Sequence, residues 1–272
     1  MPTIRTGDGL ELYYRDWGKG PPVVFVASWS LTSDSWAYQM LPLVRRGFRC
    51  IAYDRRGHGR SDDPGGGYDY DTLADDLAAL LDTLDLTGVT LVGHSMGPGE
   101  IVRYLSRHGI RRTGRIAMIG TITPMIQQAE DNPHGVPPSV FQAFRDEQLI
   151  RDFPAWIEDN AGPFVTPETT PHMIDWVRGM CLQASLQALY ECNVAITTAD
   201  FRAELRQIEL PTLLLHGDLD ITSPLALTAQ PTAALMPNAR IELYEGAPHG
   251  LFLTHAERVN ADLVRFMQSA PT

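Results

Sequence analysis

The chain has 272 residues, 44% of them hydrophobic and 20% charged, which is the composition of an ordinary globular protein with a sizeable core. Its 22 basic and 33 acidic residues give a formal net charge of −11, and a charge of that sign repels nucleic acid and anionic lipid surfaces. Composition and charge therefore exclude functions that depend on a basic surface, such as nucleic-acid or membrane binding.

The sequence carries no signal for export or membrane insertion. The amino-terminal residues lack the charged start and apolar stretch of a secretion signal, and no apolar run approaches the roughly 20 residues that span a bilayer. Cys50, Cys181 and Cys192 are widely separated and odd in number, which indicates buried thiols in a reducing compartment. We expect Cys181 and Cys192 to share one helical face as packing residues. We predict a soluble, cytoplasmic protein and leave its oligomeric state, monomer or homo-oligomer, open.

Short apolar runs rich in β-branched residues recur along the chain, and most are unbroken rather than alternating. Such runs are typical of strands that are covered on both faces in a parallel sheet. The opening segment 3–17, with a glycine-rich turn at 7–9, predicts an antiparallel hairpin at one sheet edge. We predict the remaining strands at 23–27, 50–53, 89–92, 115–119, 212–216 and 239–244.

Helical patterns separate these strands. Leucines at helical spacing predict an amphipathic helix over residues 73–84. Thr254, followed three residues later by Glu257, predicts a capping box at the start of a helix near the end of the chain. The alternation of strands and helices predicts an α/β layered fold with right-handed crossovers.

One long segment breaks this alternation. Residues 124–210 have no strong strand signal, but they contain helix-like stretches rich in aromatic residues and several prolines. We therefore predict a core of residues 1–123 and 211–272 and a helical cap insertion at 124–210. Helices inserted over the carboxyl ends of strands commonly cover a ligand site, while the alternative is that these aromatic residues only hold the insertion on the core.

The motif Gly93-His94-Ser95-Met96-Gly97 lies between the predicted strand at 89–92 and a helical pattern that ends at Gly109. A sharp turn from strand to helix strains the serine backbone and crowds both flanks, which is why glycine is needed there. The turn exposes the serine hydroxyl, and the helix that begins there aims backbone N–H groups at the same point. The motif predicts a nucleophilic serine, with an incidental serine in a glycine-bounded turn as the alternative.

A nucleophilic serine needs a base that removes its proton and an acid that orients the base. Of the eight histidines, His249 follows a predicted strand late in the chain, in a Gly/Pro loop before a helix, and we predict it as the base. His94 lies on the wrong side of the turn. His58 and His216 lie in or beside other loops, where we expect structural roles.

The loop after the predicted strand at 212–216 offers two carboxylates. Asp218, nearer the strand end, is expected to bind backbone amides, and Asp220 is predicted as the acid of the triad. A metal site made of these two residues and His216 would draw all its ligands from one extended segment, where they point unevenly. We therefore predict no metal and no cofactor.

With the order Ser95, Asp220, His249, the chain resembles the α/β-hydrolases. The stretches SDSWAYQM, AYDRRGHGRSD, YDYDTLADDL, VTLVGHSMGPGE, LLLHGDLD and APHGLFLTHAERVN closely resemble the bacterial aryl esterases once grouped with cofactor-free haloperoxidases. The resemblance implies an α/β-hydrolase fold with a mostly parallel eight-stranded sheet, flanking helices and a helical cap. It also implies hydrolysis of small esters through an acyl-enzyme, with peracid formation as a side activity. We expect the DRRGHGRSD loop to be scaffold.

The resemblance also implies an oxyanion hole and a substrate pocket. Relatives usually carry His-Gly at the end of the first central strand, whereas this chain has Ala27 and Ser28, followed by Trp29. By that match the backbone N–H groups of Trp29 and Met96 form the oxyanion hole, and the missing glycine is expected to alter how the loop turns. The resemblance places four further residues in the pocket, namely Ile122, Ile126, Phe144 and Thr222.

Several other functions remain open on the same residues. The triad would also serve lactone opening, carbon–carbon bond hydrolysis or acyl transfer to peroxide. A slow-turnover ligand-binding or signalling protein is a rival of another class. Haloalkane dehalogenase and epoxide hydrolase chemistry is excluded, because it needs a carboxylate nucleophile where this chain has Ser95. The expected partner is a small-molecule ester or lactone.

Overall fold

The computed structural model describes residues 1–269, in which eight strands form one sheet. The strands are β1 (Thr3–Arg5), β2 (Glu11–Trp17), β3 (Pro22–Val26), β4 (Arg49–Tyr53), β5 (Val89–His94), β6 (Thr113–Ile119), β7 (Thr212–Gly217) and β8 (Ala239–Tyr244). Their order is β1-β2-β4-β3-β5-β6-β7-β8, with β1 antiparallel to β2, β2 antiparallel to β4 and every other pair parallel. The predicted sheet and its edge hairpin are confirmed.

Eleven α-helices connect or follow these strands in the described part of the chain. They are α1 (Ala37–Arg45), α2 (Tyr70–Thr83), α3 (Gly97–His108), α4 (Pro138–Ala143), α5 (Ile150–Phe164), α6 (Pro171–Cys181), α7 (Leu186–Thr198), α8 (Arg202–Leu205), α9 (Ala229–Leu235), α10 (Leu251–Thr254) and α11 (Ala256–Gln268). A 3₁₀ turn, Ser33–Trp36, precedes α1, and a π-helical turn, Phe144–Leu149, follows α4. Among residues 1–269, none of these helices combines the length and the apolar character needed to cross a membrane.

Both faces of the central strands β3 to β7 are largely buried, which explains their unbroken apolar runs. Successive strand residues point to opposite faces, so Val24 of β3 packs in one cluster with residues of α2 and α3. Its neighbours Val23 and Phe25 pack in a second cluster with residues of α1 and α11. A strand with helices on both sides has no solvent face that would call for polar residues.

Five helices and the π-helical turn lie between β6 and β7, in the segment where the sequence lacks strand signals. The segment is broken by prolines, and the backbone of Asp152 leaves the helical conformation within α5, with φ −160°. The proposed limits of the cap at residues 124 and 210 remain a prediction.

Two local predictions are wrong. Thr254 is not a helix cap, because it ends α10, and α11 begins only at Ala256. Residue 254 therefore already lies in a helical turn, closed by a 2.8 Å bond from the His255 N–H to the Leu251 carbonyl, instead of in the extended conformation of an N-cap. Cys181 and Cys192 do not share a helical face, since they lie on α6 and α7; both are buried free thiols.

The turn between β5 and α3 is packed against backbone on both sides. A Cβ atom added to Gly93 would lie 2.7 Å from the Pro98 nitrogen, and one added to Gly97 would lie 2.5 Å from the Val26 carbonyl oxygen. Both separations are shorter than real Cβ contacts. The crowding that the motif predicts around residue 95 is therefore present in the structure.

Replacing Gly97 with Ala is expected to lower the free energy of unfolding by about 1–3 kcal/mol, because α3 and β3 must move apart. Gly179→Ala in α6 is the matched control, since an added Cβ there meets no atom within 4 Å. The control is expected to be neutral or slightly stabilising. Chemical denaturation measures both, and equal stabilities would contradict the close approach.

Candidate active site

Ser95 lies in the turn between β5 and α3 with a backbone φ of +57°, a left-handed conformation that is strained for a residue other than glycine. Its N–H donates to the Ile119 carbonyl at 2.9 Å, which anchors the turn to β6. The side chain lines a cavity of about 310 Å³. Strained conformations of this kind persist where the surrounding fold holds them, and they cluster at functional sites.

Asp220 follows β7, and His249 follows β8 in the loop before α10. Asp220 Oδ2 and His249 Nδ1 form a hydrogen bond of 2.7 Å, and both side chains are at least nine-tenths buried. An ionised carboxylate only accepts, so Nδ1 carries the proton in the neutral ring and Nε2 is left as an acceptor. This is the tautomer that a general base needs.

The carboxylate of Asp220 is held ionised by its surroundings. Burial by itself would raise its pKa, but the neighbouring His249 imidazole and several hydrogen bonds outweigh burial and lower the pKa to about 2. Asp220 Oδ1 accepts from the backbone N–H of Thr222 at 3.0 Å and of Ser223 at 2.8 Å, and Oδ2 accepts from the Ser223 hydroxyl at 2.7 Å.

The lowered pKa makes the stability contribution of Asp220 depend on pH. Its folded pKa of about 2 lies below the ordinary value of 3.8, so the contribution is present above about pH 4 and is lost as the pH falls toward 2. Asp220→Asn has no carboxyl to protonate at this position. We expect the parent to lose roughly 1 kcal/mol more unfolding free energy than the variant between about pH 5 and pH 3. Denaturant titrations at both pH values measure this, and parallel losses would contradict it.

Ser95 and His249 line the same cavity. Within residues 1–269, no hydrogen bond joins the Ser95 hydroxyl to the His249 ring. The contact between nucleophile and base is often loose in unliganded enzymes and tightens in the substrate complex. The structure thus brings Ser95 and His249 to one cavity, with Asp220 hydrogen-bonded to His249 behind it.

Two residues lie beside the triad. The sequence analysis did not identify Ser223, and it assigned no contact to His94. The Ser223 hydroxyl bridges the pair, because it bonds Asp220 and lies 3.2 Å from His249 Nδ1. The sequence does contain a signal for Ser223. An Asp followed three positions later by a hydroxyl residue is typical of a turn that the Asp side chain caps. His94 lies with Nε2 3.0 Å from the His249 carbonyl oxygen, and burial holds its pKa well below the ordinary value. A neutral His94 can donate to that carbonyl and hold the base loop.

The remaining candidates have structural contacts. Asp218 Oδ1 accepts from the Gly246 N–H at 2.7 Å and ties the loop after β7 to the loop after β8, as expected of a carboxylate that binds a backbone amide. His216 Nε2 lies 2.8 Å from the Ser223 carbonyl oxygen, and His58 Nδ1 lies 3.0 Å from the Arg56 carbonyl oxygen. No cluster of three or more metal-ligating side chains occurs in the described chain.

Of the two predicted oxyanion donors, Trp29 lies in the loop after β3, and Met96 lies in the turn between β5 and α3. Trp29 lines the cavity, and its indole N–H donates to the Leu189 carbonyl at 2.9 Å, which fixes the side chain against α7. Met96 is fully buried directly before α3. Over residues 1–269, neither backbone N–H of these two residues donates to a protein acceptor. Trp29 lines the cavity, whereas Met96 is not among the described residues that line it.

The loop that carries Trp29 is held by a buried arginine from the DRRGHGRSD segment. Arg55 donates to the carbonyl oxygens of Ala27 at 2.8 Å and Ser28 at 3.3 Å. Its guanidinium also binds the Glu100 carboxylate of α3 at 2.9 Å, and both side chains are almost fully buried. Arg55 therefore connects the loop after β3 to the helix that begins beside Ser95.

Arg55→Met is expected to leave the buried Glu100 carboxylate without its cationic partner, which costs about 3–5 kcal/mol of stability. The double variant Arg55→Met/Glu100→Gln removes that unpaired charge, so we expect it to recover much of the stability. In the double variant no guanidinium binds the carbonyl oxygens of Ala27 and Ser28. We therefore expect its kcat for a small ester to stay roughly 10-fold or more below that of the parent. Recovery of kcat together with stability would show that Arg55 does not position the loop.

The cavity is mostly apolar, and the four residues predicted for the pocket all line it, namely Ile122, Ile126, Phe144 and Thr222. Trp29 makes edge-to-face contacts with aromatic side chains of the segment between β6 and β7, with ring centroids 6.0 Å from Phe144, 5.8 Å from Phe153 and 5.5 Å from Trp156. The helices of that segment therefore close the cavity directly over the loop after β3. A cavity of this size and character suits a small, largely apolar molecule.

Comparison with known proteins provides separate evidence on the family of this chain. The alpha/beta hydrolase family matches residues 23–262 of the chain. The chain is 42% identical over 276 residues to a non-heme haloperoxidase of Rhodococcus erythropolis, covering 99% of this chain and 100% of the relative. It is 36% identical over 278 residues to a bifunctional esterase/perhydrolase of Acinetobacter calcoaceticus, covering 98% of this chain and 100% of the relative.

The fold is also shared with a solved esterase from Exiguobacterium antarcticum, with a TM-score of 0.94 and 31% identity over 98% of this chain and 99% of that one. The resemblance inferred from the motifs is therefore confirmed. The sheet order, the strained serine turn after β5 and these similarities lead to one assignment: the chain belongs to the alpha/beta hydrolase family.

Proposed function

We propose that the protein is a serine hydrolase that cleaves small carboxylic esters through an acyl-enzyme, with peracid formation as a side activity. The observation that carries the proposal is the strained Ser95 turn in the wall of an apolar cavity that also holds His249, whose Nδ1 binds an ionised Asp220. The relatives named as esterase/perhydrolase and haloperoxidase support this choice of chemistry.

In the first half of the reaction, Ser95 Oγ attacks the ester carbonyl carbon while His249 Nε2 takes the hydroxyl proton. The carbonyl π electrons move to oxygen, and the Trp29 and Met96 N–H groups stabilise the resulting oxyanion. Asp220 stabilises the imidazolium. When the tetrahedral intermediate collapses, the alcohol oxygen leaves with the proton from His249, and the acyl group remains on Ser95.

In the second half, water attacks the acyl carbon and gives its proton to His249. Collapse of this intermediate breaks the bond to Ser95 Oγ, which recovers the proton, and releases the carboxylic acid. Hydrogen peroxide in place of water gives a peracid by the same steps, and no electrons are transferred to or from the protein.

The helical segment between β6 and β7 is proposed as a cap that encloses the substrate. Its side chains supply much of the cavity wall, including Ile126 and Phe144, and the Phe144 ring packs against Trp29 of the loop after β3. We also propose a cytoplasmic location on the basis of the buried free thiols, which cell fractionation tests.

A substrate panel tests the assignment. We expect the highest kcat/KM for short-chain aryl esters, lower values for γ- and δ-lactones, and peracid only when peroxide and a carboxylic acid or ester are supplied. Higher kcat/KM on lactones would make the protein a lactonase. A single burst of product without steady turnover on any ester would favour the slow ligand-binding alternative.

A further inference from the structure

Arg145 is a buried cation with only neutral hydrogen-bond partners. It lies in the π-helical turn, is 7% exposed, and donates to Asn193 Oδ1 at 3.0 Å, Thr197 Oγ1 at 3.1 Å and Gln142 Oε1 at 3.1 Å. Within the described residues it forms no salt bridge, and its Nε is buried with no acceptor. A guanidinium in this setting favours electron-rich groups nearby, and π-helical turns are frequent at functional sites.

The bond from Arg145 fixes which way the Asn193 amide points. Guanidinium nitrogens are donors only, so the amide atom facing Arg145 must be the oxygen. The Asn193 Nδ2 is then turned away from the arginine. It donates to no protein acceptor within residues 1–269, and it is not an enclosed atom, while Asn193 itself forms part of the cavity wall.

Two other polar side chains of the cavity wall already have protein partners. Thr197 lies one turn further along α7 and also lines the cavity, but its hydroxyl proton is used on the carbonyl oxygens of Asn193 or Val194, at 2.9 and 3.2 Å. Arg178 lines the cavity as well, yet its charge is compensated by Glu158 and by Asp175 at 2.8 Å.

We propose that Asn193, oriented and polarised by Arg145, is a hydrogen-bond-donor subsite in the cavity wall. It selects ester substrates whose acyl chain carries a second acceptor oxygen, such as a keto group, beyond the scissile carbonyl. This inference rests on the proposed ester hydrolysis and narrows its substrate class. A polar donor in an otherwise apolar cavity discriminates because a plain alkyl chain leaves it without a partner.

The test compares matched 4-nitrophenyl esters: 4-oxopentanoate against pentanoate, and 5-oxohexanoate against hexanoate. For at least one pair, we expect the ratio of kcat/KM for the oxo ester to that for the plain ester to be about 10-fold higher in the parent than in Asn193→Asp. The aspartate keeps an acceptor for Arg145 and so preserves folding, but it has no N–H to donate. Comparing ratios between variants cancels the intrinsic reactivity of each ester.

Gln187→Ala, an exposed change on the same helix, is expected to keep the parent ratios. Ratios that are unchanged in Asn193→Asp for both pairs would overturn the subsite. Turnover of the plain esters reports separately on the proposed function: if the parent cleaves neither plain nor oxo esters, ester hydrolysis itself fails. Thermal unfolding of Asn193→Asp at or above the parent temperature confirms that any change in ratio is not a folding defect.

Discussion

Replacing Ser95 with Ala is expected to abolish turnover of 4-nitrophenyl acetate, with kcat lowered by about 10⁵- to 10⁶-fold. Alanine has no oxygen to form the acyl bond, and the remaining oxyanion donors can only assist direct attack by water. The cavity keeps its shape, because the serine hydroxyl makes no hydrogen bond to protein within residues 1–269 that the fold would lose. Initial rates at saturating ester measure the effect.

Ser106→Ala is the matched control, because residue 106 is an exposed serine on α3, the helix that follows Ser95. Alanine is a slightly better helix former there, so the control is expected to keep the parent rate and stability. Residual activity of the Ser95 variant within tenfold of the parent would remove Ser95 from the mechanism.

Asp220→Asn is expected to lower kcat by about 10⁴-fold with little change in the cavity. The neutral amide removes the charge that stabilises the imidazolium, and its NH₂ group favours the wrong tautomer of His249. The pKa of Asp220, about 2, keeps the parent carboxylate ionised in any assay above about pH 4. The defect of the variant relative to the parent is therefore expected at every such pH.

Asp218→Asn distinguishes the two carboxylates of the same loop. An asparagine oxygen can still accept from the Gly246 N–H, so this variant is expected to stay within about threefold of the parent kcat. If Asp218→Asn is disabling and Asp220→Asn is not, the acid has been assigned to the wrong residue.

Much of the fold follows from local sequence patterns. The central strands could be predicted because they are covered on both faces and therefore read as unbroken apolar runs, as in Val23 to Val26 of β3. The prediction of a capping box at Thr254 was wrong because the same residues can also end a short preceding helix. Sequence spacing does not distinguish these two structures. Helix boundaries depend on which backbone hydrogen bonds the folded chain makes, and not on residue types alone.

The residues of the candidate active site could be predicted from the sequence, but the contacts that orient them could not. Ser95 carries a local motif, and Asp220 and His249 follow from the order of loops along a parallel sheet. The contacts that orient them could not be predicted, because they join distant parts of the chain. Arg55 reaches Ala27 across 28 positions, and Arg145 reaches Asn193 across 48. No spacing rule connects residues so far apart.

The most direct test of the mechanism is mass spectrometry of the enzyme trapped with a fluorophosphonate and, separately, quenched during turnover of 4-nitrophenyl acetate. We expect one phosphonyl adduct per chain, and one acetyl adduct that is lost as turnover ends, with peptide mapping locating both on the hydroxyl of residue 95. Adducts on a different side chain, or ester cleavage with no covalent adduct at any time, would contradict an acyl-enzyme at Ser95.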